Sequence, residues 1–186
     1  MPTRYEKLLQ WADELTADFI ARAVDLVVAD SWQHYNVAHD ITYALARLAV
    51  QSARRALGRD ITLVTYPVLP PALAPGAPSA SVIANVRLPS AAVDAKIAAM
   101  AAIPGIAAET TDINTAEGAD AHLYEAFYSV LPLQRLLRTP NQTPLYEVFG
   151  EDRVRAGIYT DVVRWPHLLR ACEALVQAQG ATAQAA

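Results

Sequence analysis

The stretch VDLVVADSWQHYNVAHDITYALA, residues 24–46, decides how the chain is read. Its first seven residues are β-rich and lack polar alternation, which suits a strand buried on both faces of a parallel sheet. From His39 onward Ile41, Leu45 and Leu48 recur at helical spacing, opposite Arg47, Gln51, Arg54 and Arg55. A helix is therefore expected over His39–Leu57, with Gly58 as its C-cap. Between them lies a polar loop, 31–38. In open α/β sheets ligands bind beyond the carboxyl ends of the strands, so this loop stands where function is expected. His39, at the helix start, reads either as a metal ligand or as a cap, and His34 and Asp40 carry the same two readings. The spacing of His34 and His39 across a loop is not a specific metal pattern, unlike two histidines one helical turn apart. Trp32 and Tyr35 suit stacking on a sugar-like ligand or packing of the loop.

Outward from this stretch the alternation of strand and helix continues. Thr3 and Glu6 read as a capping box, and Leu8, Ala12, Leu15 and Phe19 carry a helix to about residue 23. Residues 61–69 (ITLVTYPVL) are a second strand, ended by Pro70-Pro71, and a Pro/Gly/Ala loop runs to residue 80. Residues 81–88 (SVIANVRL) are a third strand, and Ser90 is placed to cap a helix over Ala91–Ile103. The pattern breaks from Ala107 to Gly118, and AHLYEAFYSVL opens a mixed stretch. Two helical segments follow, at 145–159 and 162–178, with Pro166 in the first turn of the last one. The expected architecture is a single α/β domain over residues 1–177, with a flexible tail at 178–186. Its form is a three-layer, Rossmann-like arrangement with a small, mostly parallel sheet and a helical C-terminal portion. Three strands are few for 186 residues, which suggests that some of the sheet comes from elsewhere.

Composition bounds the function. Hydrophobic residues make up 53% and charged residues 18%, with a mean hydropathy of +0.16, which excludes a disordered chain. A net charge of −4 gives no basic footprint, so nucleic acid is not an expected partner. The lone Cys172 lies in an apolar helical pattern and reads as packing. No apolar run has the length of a membrane span, and the first residues do not form a signal peptide. A soluble, cytoplasmic protein is expected. Serine nucleophile elbows, phosphate-binding Walker loops, Gly-rich dinucleotide turns and Cys/His zinc clusters are absent from the sequence.

Several motifs together resemble the second half of the LmbE-like (PIG-L) family of zinc-dependent N-deacetylases. The first is the order apolar strand, Tyr35-Asn36-x-x-His39-Asp40, helix. The second is PLYEVFGEDRVRAGIYTDVVRWPH, with Tyr146, Glu147, Gly150, Glu151, Val154, Gly157, Tyr159, Arg164 and His167 at the family's positions. Lys96 and Glu125 fall where the group carries a lysine helix and a glutamate. The resemblance implies zinc as cofactor, with His39 as a ligand, and water attack on an N-acyl bond of a small amino-sugar-like substrate. His34, Asn36, Asp40 and Glu125 are the expected pocket residues. Asn36, Val37 and Ala38 stand where the family has His, Pro and Asp, and the family's opening His-Pro-Asp-Asp motif is nowhere in this sequence. A catalytic zinc takes about three protein ligands plus an open position. The chain is thus expected to act with a partner, a second subunit bringing the missing motif or another copy of itself. The alternatives are a fragment of an ordinary deacetylase and a non-catalytic relative that binds partners as a scaffold.

Overall fold

The computed structural model describes residues 4–70, 73–74, 76–103, 115 and 122–184. Its helices are α1 (Arg4–Ala21), α2 (Val37–Leu57), α3 (Ser90–Ala101), the short α4 (Leu133–Leu136), α5 (Leu145–Arg155) and α6 (Trp165–Gln184). Its strands are β1 (Leu26–Asp30), β2 (Thr62–Tyr66), β3 (Val82–Arg87) and β4 (Tyr124–Tyr128), in the order β1-β2-β4-β3. The chain is α/β. The sheet is mixed, however, and not mostly parallel: β1 and β2 are parallel, whereas β4 runs antiparallel to both β2 and β3. The fourth strand lies in the stretch read as mixed, where Tyr124, Phe127 and Tyr128 supply β-favouring residues without a period-2 pattern.

The expected βαβ unit is present as β1, α2 and β2, in the register Leu26↔Thr62 to Asp30↔Tyr66. Helix α2 begins two residues earlier than its apolar stripe suggests, because Asn36 accepts a hydrogen bond from the Ala38 N–H at 2.9 Å and caps it. Gly58, at φ 62°, ends it. Val27 and Leu63 turn one sheet face toward Phe19 of α1 and Val50 and Ala53 of α2. The main core lies in the helical layer, where Trp32, Tyr43, Leu48, Leu136, Leu168 and Leu175 pack around α2 and α6.

The strand at 24–30 was expected to be covered on both faces, and it is not. Leu26 and Val28 are 56% and 46% exposed, on the sheet face away from α2. Because β1 lies at the edge of the sheet, only β2 neighbours it among the described residues. Ser90 begins α3 without capping it: Pro89 occupies the cap position and makes no side-chain hydrogen bond. Helix α6 continues past residue 177 to Gln184, so the backbone of most of the expected tail is helical. Thr3 and the break at 107–118 lie outside the described residues, apart from Thr115. Cys172 is fully buried, as read, and burial pushes its thiol up to about 12.

The motif at 144–167 builds a corner between α5 and α6. Gly157, at φ 70°, turns the chain after α5, a conformation that costs glycine little. Glu147 then caps α6: one carboxylate oxygen accepts from the Trp165 N–H at 2.6 Å and the other from Arg164 at 3.2 Å. Arg164 also reaches Glu151 at 2.6 Å, and its backbone N–H donates to His167 Nδ1 at 3.0 Å. A carboxylate at a helix N-terminus is favoured by both the free N–H groups and the helix dipole.

Candidate functional site

The loop after β1 is fixed from within. Asp40 is fully buried, and its carboxylate accepts the backbone N–H groups of Gln33, at 2.9 Å, and of His34. His34 adopts φ 54°, which turns these successive N–H groups toward one acceptor. The Gln33 side chain donates to the Leu69 carbonyl at 2.7 Å and accepts from the Val68 and Leu69 N–H groups, so it ties the loop to the segment after β2. His34 is buried against Trp32 and Trp165, with ring centroids 6.0 and 5.5 Å away, and hydrogen-bonds the Gly76 backbone. Desolvation dominates both ionisable groups: it pushes Asp40 up to about 7 and His34 down to about 4. His34 and Asp40 are therefore interior groups that shape the loop, and Asn36 caps α2.

His39 lies in the first turn of α2, where the loop delivers it to the carboxyl end of β1. Its Nδ1 lies 2.6 Å from Oδ2 of Asp30, the last residue of that strand. The two side chains are 34% and 18% exposed, so the pair sits at the surface of the crevice and not in the core. The Tyr66 hydroxyl, at the end of β2, also hydrogen-bonds Asp30. Burial, first, and then the neighbouring Asp30 charge keep that phenol protonated to higher pH than usual. Tyr35 stacks on the His39 ring, with centroids 6.4 Å apart and planes at 19°. With Nδ1 held by a carboxylate, the ring tautomer is set and the lone pair on Nε2 is its remaining functional atom.

A second polar group stands near the first, on the other side of Tyr66. Thr65 pairs with Tyr128 in antiparallel sense, so the earlier residues of β4 extend beyond the carboxyl end of β2. Glu125 shares the face of Tyr66, and its charge is a lesser cause of the raised Tyr66 value. Lys96 of α3 binds Glu125 at 2.6 Å, both side chains being about one-third exposed at 31% and 33%. His122, largely covered, is held below its ordinary value first by burial and then by the Lys96 charge. Glu125 and His122 thus belong to a partly covered group beside Lys96.

Of the expected site residues, His39 and Glu125 are partly exposed near the carboxyl ends of β1 and β2, whereas His34 and Asp40 are buried and Asn36 caps α2 and lines a separate groove. Asp30 and Tyr66 carry no motif, and their signal is positional: each is the last residue of a parallel strand. Among the described residues no group of three or more His, Cys, Asp and Glu side chains is placed to hold a metal ion. The Asp30–His39 pair fits one ligand position and its supporting carboxylate, not a complete zinc site. No helix of the described residues is long and apolar enough to cross a membrane. Comparison with protein families, curated proteins and solved structures found no match to the chain.

Proposed function

We propose that this chain contributes one half of a hydrolytic site for N-acyl bonds of small amino-sugar-like molecules, and that a second polypeptide segment contributes the other half. The observation that carries the reading is the 2.6 Å hydrogen bond between Asp30 and His39 Nδ1. A carboxylate in this position fixes the imidazole as a base or ligand through Nε2. Tyr66, which hydrogen-bonds Asp30, and the nearby Lys96–Glu125 pair would orient polar groups of a substrate beside His39. The metal-binding His-Pro-Asp-Asp motif that the family resemblance implies would come with the second segment, and with it the remaining zinc ligands. That segment would extend the parallel part of the sheet from β1, toward a three-layer, Rossmann-like arrangement. Among the described residues β1 has a strand neighbour on one side only, which supports an addition at this edge, and exposed Leu26 and Val28 support a layer over the same strand.

The test is complementation. The chain with zinc but without a second segment should not hydrolyse an N-acetyl amino sugar. Mixed with, or fused to, a polypeptide bearing a strand that ends in His-Pro-Asp-Asp, it should do so, and His39→Ala should reduce the rate at least about a hundredfold. Full activity of His39→Ala in the complemented protein overturns the proposal. The scaffold alternative predicts no activity in any combination.

A further inference from the structure

A groove of about 990 Å³ runs between the loop at Tyr35 and the α5–α6 corner. It lies outside the Asp30–His39 pair and the Lys96–Glu125 pair. Its walls include Tyr35, Leu69, Leu145, Phe149, Ile158 and Tyr159. Phe149, Ile158 and Tyr159 are 46%, 57% and 55% exposed, so large apolar side chains gather in one concavity and stay open to solvent. The volume lies at the upper end of the roughly 300–1,000 Å³ typical of small-molecule sites. The charged side chains at its rim, Asp152, Arg153 and Asp161, are of mixed sign, so the walls select for apolar surface over net charge.

Tyr35 joins this groove to the crevice. One face of its ring stacks on His39, and the Phe149 ring meets it at 89° with centroids 6.0 Å apart. A molecule lying along Phe149 therefore abuts the aromatic wall that His39 packs against. The geometry points to this groove as the binding site for the apolar part, an acyl chain or an aromatic ring, of the molecule on which His39 acts. This deepens the proposed function and rests on it for the ligand's identity as a substrate. The binding step itself requires neither zinc nor a second segment.

The experiment uses the whole chain and two probes, N-octanoylglucosamine and N-acetylglucosamine, each below its micellar concentration, with affinity read from amide chemical shifts. The octanoyl compound should bind at least about tenfold more tightly, with shifts centred on Tyr35 and Phe149. Phe149→Ser and, independently, Ile158→Ser should erase most of that preference, because both positions are half-exposed and tolerate polar residues without a cavity in the core. His39→Ala should leave it intact, which separates failure of the groove from failure of the hydrolytic reading. Equal binding of the two probes, or an octanoyl preference unchanged by both serine variants, overturns the inference. So does a loss of self-association in Phe149→Ser by sedimentation, which would make the groove a protein interface.

Discussion

At the residue scale the account rests on how four side chains divide the work of one loop. Asp30 holds His39 and Asp40 holds the backbone, so two aspartates ten residues apart do different jobs in different surroundings. The first prediction concerns tautomer: long-range ¹H–¹⁵N spectra should show neutral His39 with its proton on Nδ1, and Asp30→Ala should abolish that preference. The second concerns pH. Burial takes Asp40 from an ordinary 3.8 to about 7 and His34 from 6.5 to about 4. Between about pH 4 and 6.5 the folded chain keeps a proton on Asp40 and none on His34, and the unfolded chain does the reverse. The proton counts match, so the two effects on stability cancel across that window. Asp40→Asn leaves only the His34 effect, and stability should then rise with pH by up to about 1.4 kcal/mol per unit. His34→Asn, compatible with the left-handed backbone there, leaves only the Asp40 effect, and stability should fall as pH rises toward 7. Urea midpoints between about pH 4.5 and 6.5 read both slopes, and parallel profiles for the two variants contradict the assignment.

At the element scale the α5–α6 corner shows why a motif can be legible while its role is not. Glu147, Glu151, Gly157, Arg164 and His167 are visible in the sequence as a pattern, but the structure uses them to turn one helix into the next. Gly150 belongs to the same joint: a Cβ there would stand 2.8 Å from Cγ1 of Val162. Gly150→Ala should therefore cost about 1–3 kcal/mol despite the better helix propensity of alanine, and Val162→Ala added to it should restore part of the loss. Helix α2 is legible from its stripe and from Gly58, but its start is not, because the apolar stripe begins later and the capping bond from Ala38 to Asn36 leaves no trace in the periodicity. Asn36→Ala should lower stability by about 1 kcal/mol in a urea titration. Strand β4 was harder still, since its partners β2 and β3 are far away in sequence and pairing, not local pattern, makes it a strand.

At the scale of the whole molecule the parallel and antiparallel parts of the sheet have different sense. The β1-α2-β2 unit was readable from local periodicity, and it ends in the crevice where Asp30, Tyr66 and His39 meet. On the far side Lys96 comes from a helix that the sequence pattern shows, whereas Glu125 lies on β4, in a stretch whose local pattern gives no element. The β1 edge is where a second segment is expected to add, so Val28→Lys should leave the chain folded, Val28 being 46% exposed, while reducing complementation severalfold. Normal complementation by that variant argues against addition at this edge. The central claim, that His39 is one ligand-bearing half of a divided site, is tested most directly by elemental analysis of the purified chain with and without His39→Ala. The account predicts well under one zinc per chain, reduced further by His39→Ala; one zinc per chain that persists in His39→Ala would contradict it.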